Sequence, residues 1–491
     1  MKHLLSSVAV ALASTSFVAP QSICGNWTVG QAVKTTSGRV FGHAASNADQ
    51  VSTYLGIPYA VPPIGALRFQ PPIAYNGSLA INGSDFGPAC MQPTPTEFPQ
   101  SEDCLSINVW TKPQTGERKK AVLVWIHGGA YTYGGARQPM YDGQFITDTS
   151  DVVLMSINYR LGIFGFPGDP ASAPNLGLLD MRIAMEWVRD NAEAFGGDTS
   201  RITIFGQSAG SGMADFYSFA YASDPIASGF ILQSATVVGF PALLADTLSP
   251  RWYRIADSVG CPSSNGSTAA AAVTDCMRNR TAAQIFAGFS TAETGIGSTP
   301  AFGPGVDNEL VFEDYSNRSS ADAAYLIGNN ENEAGAFKSL QPNRTEIYWA
   351  DFNFRFYTCA DNIRLAQTVS AGLPSWRYRY FGDFPNLVLS TNPPSGAYHG
   401  AELQPLFGTL PQDPPSTIVE LETAEFLRGA WTTFAKNTTS GLLSYSGGWP
   451  LYNPSEDTMA RIAFNNQTGT NLGQGDAYND RCASLPATAP S

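Results

Sequence analysis

The sequence predicts an α/β fold, a large and mostly parallel β-sheet covered by helices. Three observations point there. Apolar, β-rich runs alternate with helical patterns along the 491 residues, and parallel strands need such covering crossovers. Hydrophobic residues make up 43% of the chain and charged ones 14%, which supports a large buried core. A glycine-flanked serine stands between one strand and the helix that follows it. In order, Ala121 to Ile126 and Val152 to Ile157 are buried-strand runs. Leu178, Leu179, Ile183, Trp187 and Val188 repeat at helical spacing, and Gly196-Gly197 stops that helix. Ile202 to Phe205 is the next strand, with a helical pattern beginning just after Ser208. Phe230 to Leu232, Ala323 to Ile327 and Trp376 to Phe381 read as later strands, and Thr417 to Lys436 as a long amphipathic helix. No repeat, low-complexity tract or linker divides residues 20–491, so one domain is expected.

The opening residues read as a secretory signal peptide, 1–19. Lys2 and His3 give a basic start, Leu4 to Leu12 an apolar run too short to span a bilayer, and small residues follow through Ala19. Cleavage is expected between 13 and 19. No later stretch has the length of a membrane span, and no apolar tail suggests a lipid anchor. The net charge of −13 argues against a nucleic-acid partner, because an acidic surface repels phosphates. Sequons begin at Asn26, Asn76, Asn82, Asn265, Asn279, Asn317, Asn343, Asn437 and Asn466. Nine in an exported chain suggest a glycoprotein with these asparagines on its surface. The seven cysteines include no C-x-x-C pair. Cys90 with Cys104, and Cys261 with Cys276, are spaced as two local disulfides of an oxidising compartment.

Gly206-Gln207-Ser208-Ala209-Gly210 follows a strand and precedes a helix. A serine at so tight a turn projects its hydroxyl above the sheet, as in α/β-hydrolases, while the glycines avoid side-chain clashes. The helix N-terminus beyond it favours developing negative charge. Ser208 is therefore the candidate nucleophile, and it needs a base. Of four histidines, His3 lies in the signal, His43 far upstream, and His127 at the start of a Gly-rich turn. His399 alone follows the serine, as the fold's order of serine, acid and histidine requires. Trp125-Ile126-His127-Gly128-Gly129-Ala130 ends a strand in small residues, which lets backbone N–H groups approach a substrate oxygen.

With these motifs the chain resembles the type-B carboxylesterase/lipase family, which includes the cholinesterases. Phe195-Gly196-Gly197 through Gly210 matches the serine signature without a gap, and Ser101-Glu102-Asp103-Cys104-Leu105 the second signature. Leu55-Gly56-Ile57-Pro58-Tyr59-Ala60, Asn158-Tyr159-Arg160-Leu161-Gly162 and Asn175-Leu176-Gly177-Leu178-Leu179-Asp180 also fit. The resemblance implies an α/β-hydrolase fold and an oxyanion hole of Gly129, Ala130 and Ala209. It also implies a glutamate acid within Gly328-Asn329-Asn330-Glu331-Asn332-Glu333-Ala334-Gly335-Ala336-Phe337. Counting from the glycine selects Glu333; Glu331 and Asp307 are rivals. Ion pairs Arg68–Glu102 and Arg160–Asp180, and a third disulfide from Cys359 to Cys482, follow from the same likeness. That leaves Cys24 free or paired externally.

Several positions depart from the family pattern. Ala334 stands where a glycine is usual, and Met181 where a polar residue is common. The stretch between Glu333 and His399 is short, which suggests a more open and wetter site. The loop between Cys90 and Cys104 holds thirteen residues and no tryptophan, whereas cholinesterases place a choline-binding indole there. The expected protein is a secreted, cofactor-independent serine ester hydrolase that acts on neutral, mainly apolar esters of small molecules. Tyr131 and Tyr398 are the aromatics near the site that could substitute for the missing indole. The rival readings are a lipase on long-chain glycerides and a catalytically dead adhesion protein.

Overall fold

A computed structural model describes residues 27–240, 242–261, 270–290 and 301–482. The signal segment, Cys24, Asn26 and Asn265 lie outside the described residues. Among those described, eleven strands form the central sheet: β1 His43–Ala44, β2 Ser52–Pro58, β3 Ser106–Thr111, β4 Lys120–Ile126, β5 Val153–Ile157, β6 Gly197–Gln207, β7 Gly229–Gln233, β8 Ala324–Asn330, β9 Ser375–Tyr380, β10 Asp457–Ile462 and β11 Gly473–Gln474. Their order in space is β11-β10-β9-β8-β7-β6-β4-β5-β3-β2-β1. The seven strands from β5 to β10 in that order are parallel. Strands β1 to β3 and β11 add antiparallel edges. The helices that matter below are α1 Leu176–Asn191, α2 Ala209–Ala220, α3 Glu346–Asn353, α4 Ala360–Ser370 and α5 Ile418–Lys436.

Side chains of a strand alternate between faces, and both faces of this sheet are covered. Along β4, Val122, Val124 and Ile126 enter one core with Met181 and Met185 of α1 and Met213 of α2. Ala121, Leu123 and Trp125 enter another with Phe426, Leu427 and Trp431 of α5. Every residue of β4 is buried, so the run reads as unbroken apolar sequence after Lys120. Each fully buried Val, Leu or Ile contributes roughly 1.5–3 kcal/mol, which fixes the sheet before any polar detail is considered. Helix α5 begins where Thr417 and Glu420 form a reciprocal capping box.

The strands run further than their apolar runs suggest. β6 extends in both directions, with an irregularity between Gly197 and Ile202. β8 continues through Asn329 and Asn330, both buried, and β9 stops at Tyr380 and not at Phe381. Ladder hydrogen bonds absorb polar residues here, which an apolar-run criterion misses. Both ion pairs implied by the resemblance are present. Arg160 Nη2 lies 2.7 Å from Asp180 Oδ1, and Asp180 Oδ2 accepts the Arg160 backbone N–H and Nε. Arg68 holds Glu102 at 2.5 Å. A third pair, Asp215 with Arg364 at 2.9 Å, ties α2 to α4. The three disulfides are Cys90–Cys104, Cys261–Cys276 and Cys359–Cys482. Asn76, Asn82, Asn279, Asn317, Asn343, Asn437 and Asn466 are all exposed. No helix among the described residues is long and apolar enough to cross a membrane.

Asp180 is fully buried, so removing its partner strands a charge. Arg160→Met is expected to lower the unfolding free energy by about 3–5 kcal/mol in denaturant titrations. Arg160→Met/Asp180→Leu should recover most of that loss, since the unpaired carboxylate is gone. A double variant no more stable than the single one would refute a charge-burial origin.

Candidate active site

The carboxyl ends of the parallel strands converge on one edge, where open α/β sheets carry ligands. Ser208 follows β6 and precedes α2, with φ 57° and ψ −128°. Its N–H donates to the Gln233 carbonyl of β7 at 2.9 Å. Such a backbone costs about 1–3 kcal/mol and persists only where neighbours enforce it. Here the flanking glycines do so. A Cβ on Gly206 would stand 2.5 Å from the Gly210 carbonyl carbon, and one on Gly210 would stand 2.0 Å from Ile126 O. The spacing of the two glycines therefore reflects contact between the turn and β4.

Glu333 opens a short 3-10 turn three residues after β8 and is fully buried. Its Oε2 lies 2.6 Å from His399 Nδ1, and its Oε1 accepts the Asn330 N–H at 2.7 Å. The acid loop is stitched to the histidine loop. Asn332 donates its N–H to Ala397 O, Asn332 Nδ2 donates to Ser395 O, and Asn330 Nδ2 to Tyr398 O. Gly335 is the close-approach position, since a Cβ there would lie 2.0 Å from Ser395 O. Ala334 faces an aromatic cluster with Phe352 and Tyr357, so the family's usual glycine is not needed at that position. With Nδ1 directed at a carboxylate, the lone pair of His399 sits on Nε2. That Nε2 is buried and has no partner among the described residues.

The rivals sit elsewhere. Glu331 is exposed, and its carbonyl accepts from Arg379. Asp307 accepts the N–H groups of Glu309, Leu310 and Val311 and the Asn175 side chain. His43 lies on the outermost strand of the sheet.

After β4 the chain turns through Gly129, with φ 114°, and Ala130, with φ 52°. The N–H groups of Gly129, Ala130 and Ala209 make no hydrogen bond among the described residues. With Ser208 and His399 they border one cavity of about 220 Å³. Its remaining wall is largely aromatic: Tyr131, Tyr133, Phe240, Phe337, Phe352 and Tyr357. The rings of Phe337 and Tyr357 lie 5.2 and 5.5 Å from that of His399. The short stretch before His399 thus does not leave the site bare, because α3 and the π-helix Phe354–Cys359 supply the covering rings. Tyr131 lines the cavity; Tyr398 packs into the core on the α5 side.

Comparison with known proteins gives the family of the chain. The carboxylesterase family model matches residues 30–360. Secreted lipase 5 of Gibberella zeae is 31% identical, covering 95% of this chain and 96% of the lipase. Chlorogenic acid esterase of Aspergillus niger is 31% identical, covering 87% of each. Acetylcholinesterase of Gallus gallus is 36% identical, over 57% of this chain and 39% of its own length.

The chain belongs to the carboxylesterase family. It has the α/β-hydrolase fold and is a carboxylic ester hydrolase. No group of acidic, His and Cys side chains suited to a metal occurs among the described residues of this carboxylesterase.

Three supporting roles escaped sequence reasoning. Glu402, fully buried, accepts from Asn330 Nδ2 at 2.6 Å and from Gln233 Nε2 at 3.0 Å. Burial, and then the neighbouring Glu333 carboxylate, push its pKa up. Asn330 thus bridges both carboxyl groups, and its only signal was a polar pair ending an apolar strand. The third is that of His127. Its Nδ1 lies 2.8 Å from Gly128 O, its ring stacks on Tyr159 at 4.7 Å, and Tyr159 donates to its carbonyl. Burial lowers its pKa to about 4, so in this carboxylesterase it stays neutral and braces the turn.

That shift has a consequence for stability. Unfolded, the imidazole titrates near 6.5; folded, near 4. Between those values the unfolded chain binds the extra proton, so stability is full above pH 6.5 and falls as pH drops toward 4. The loss amounts to about 3 kcal/mol across that window. His127→Asn, which keeps a donor for the Gly128 carbonyl but does not titrate, should flatten the pH dependence of the unfolding midpoint between 4 and 6.5. An unchanged slope would show that other groups govern it.

Proposed function

We propose that this chain is a secreted glycoprotein that hydrolyses neutral, mainly apolar esters through an acyl-enzyme on Ser208. The observation that carries the reading is the His399–Glu333 contact, with Nε2 unpartnered among the described residues and His399 lining the same cavity as Ser208. His399 Nε2 takes the hydroxyl proton as Ser208 Oγ attacks the ester carbonyl. Glu333 holds the imidazole with Nδ1–H inward and stabilises the imidazolium that forms. The N–H groups of Gly129, Ala130 and Ala209 stabilise the oxyanion. The imidazolium then protonates the departing alcohol. Water, deprotonated by the same nitrogen, hydrolyses the acyl-enzyme and restores Ser208.

The substrate class is supported by the cavity wall, whose six aromatic rings offer desolvation and stacking but no charge. The relative named a secreted lipase supports export, and that name and the chlorogenic acid esterase both support ester hydrolysis. Export is further supported by three disulfides and by the exposure of seven sequon asparagines.

Ser208→Ala should reduce turnover of 4-nitrophenyl butyrate by more than about 10⁴-fold in a protein that still folds. Glu333→Gln should cost about 10⁴-fold, since one amide cannot accept from both Asn330 and His399. Glu331→Gln should stay within a few-fold of the parent, because that side chain is exposed. Equal losses at the two glutamates would overturn the acid assignment.

Choline recognition needs a desolvated aromatic face for the ammonium, worth about 2 kcal/mol where water is excluded. Six Tyr and Phe rings line this cavity, but no tryptophan, the strongest face for a cation, is among its lining residues. The expected outcome is that kcat/KM for butyrylcholine stays below ten times that for its uncharged isostere, 3,3-dimethylbutyl butyrate. A tenfold or greater preference for the cation would reopen the cholinesterase reading.

A further inference from the structure

The proposed oxyanion donors come from two arms, Ala209 at the start of α2 and Gly129 with Ala130 in the loop after β4. Each arm is aimed through a carbonyl, because in a trans peptide the C=O and the N–H that follows it point in opposite directions. The Ser208 carbonyl accepts the Gly212 N–H at 2.9 Å, which turns the Ala209 N–H the other way. The Gly129 carbonyl accepts the N–H groups of Thr132 and Tyr133 at 2.9 and 2.8 Å, which does the same for the Ala130 N–H. Both arms border the cavity that holds Ser208. An oxyanion needs its donors at hydrogen-bond distance from one point, so the spacing between the arms has to be fixed as well.

Tyr131 spans that spacing. Its backbone continues the left-handed turn, with φ 57° after 52° at Ala130, and its carbonyl accepts the Gly162 N–H at 2.7 Å. Its ring is buried and stands edge-on to Phe166 at 5.7 Å. Its hydroxyl lies over Gly212, in the first turn of α2. A Cβ on Gly212 would stand 2.3 Å from that oxygen and 3.5 Å from the ring carbon that bears it. Outside its own helix the point has no other neighbour within 4 Å among the described residues. The hydroxyl makes no hydrogen bond among those residues, so packing alone seats it. The bonded carbonyl and the buried ring keep the side chain from swinging aside. Alanine suits a helix better than glycine does, yet only glycine leaves room for this hydroxyl.

We infer that Gly212 is a positioning residue that sets the distance between the two arms of the oxyanion hole. Its N–H aims the Ala209 donor, and its missing side chain seats Tyr131, the residue that directly follows the Gly129 and Ala130 donors. A side chain at position 212 pushes the Tyr131 ring off α2 and carries the second arm away from the first. This deepens the acyl-enzyme reading above and rests on it.

The test is a double-mutant cycle, read as kcat and KM for 4-nitrophenyl butyrate. Gly212→Ala should lower kcat by tenfold or more with KM within threefold, the pattern of an interaction made only in the transition state. The same substitution in a Tyr131→Phe background should cost less than threefold, because the oxygen that meets the new Cβ is gone. Helix propensity alone predicts otherwise, a Gly212→Ala protein as active as the parent and more resistant to heat. A trifluoromethyl ketone gives a readout that general damage to the fold would not copy. Its adduct with Ser208 carries an oxyanion, so its Ki should rise by the factor by which kcat falls. A loss below threefold for Gly212→Ala, an equal loss in both backgrounds, or an unchanged Ki beside a tenfold lower kcat would overturn the positioning role. If Gly212→Ala alone does not fold, the double variant is compared with Tyr131→Phe. A kcat within threefold of that reference supports the role, and a larger loss overturns it. Parent-level hydrolysis that survives Ser208→Ala would instead overturn the acyl-enzyme reading, and the positioning role with it.

Discussion

A carboxylate with no exposure to water has to be matched, and Glu333 sets that demand for the site. Its two oxygens are taken by the Asn330 N–H and the His399 imidazole. Either partner alone would leave an oxygen unmatched, at a cost comparable to a buried unsatisfied acceptor. The acid loop, the end of β8 and the histidine loop must therefore hold their relative positions to within hydrogen-bond reach. The backbone and side-chain bonds from Asn332 to Ala397 and Ser395 do that holding. Asn330 links the pair to Glu402, and Glu402 through Gln233 reaches Trp431 on α5. One chain of polar contacts thus runs from the catalytic edge to a helix in the sheet's outer layer.

The serine side is constrained by volume instead of charge. Gly206 and Gly210 exclude any Cβ, and Gly128 would place one 2.7 Å from Gln207 O. Close packing of β4, β6 and α2 sets the unusual backbone of Ser208 and brings the N–H groups of Ala209, Gly129 and Ala130 to the same cavity. His127 supports this from behind as a neutral, stacked ring. Charge compensation on one side of the cavity and steric exclusion on the other meet at His399 and Ser208.

These two kinds of constraint differ in how readable they are. Steric exclusion is local, so Gly-x-Ser-x-Gly pointed to Ser208 and the His-Gly-Gly-Ala run to a turn of close backbone approach, while the choice of Gly129, Ala130 and Ala209 came from the family likeness. Strand positions were readable for the same reason, since alternating faces of β4 demand apolar residues. Glu333 was legible only through the family likeness, because three acids lay within plausible reach and nothing local separates them. Glu402, Asn330 and the covering rings of Phe337, Phe352 and Tyr357 act across many residues of chain, and no local pattern encodes such contacts. Strand ends were misjudged where polar residues such as Asn329 and Asn330 complete the ladder.

The loop after β4 shows why brevity elsewhere matters. Gln92 bonds both the N–H and the carbonyl of Gly134, at 3.1 and 2.9 Å, and so fixes that loop against the disulfide segment. With only thirteen residues between Cys90 and Cys104, the segment can lay Phe98 on Arg137 but leaves little chain to fold over the catalytic cavity. Covering apolar rings come instead from α3 and the π-helix, where one extra residue per turn commonly marks a functional surface. Aromatic cover from Phe352 and Tyr357 is thereby placed beside His399, and the loop after β4 adds Tyr131 and Tyr133 to the wall of the same cavity. The wall that surrounds Ser208 is therefore mostly aromatic and uncharged, although its rings come from four separate stretches of chain.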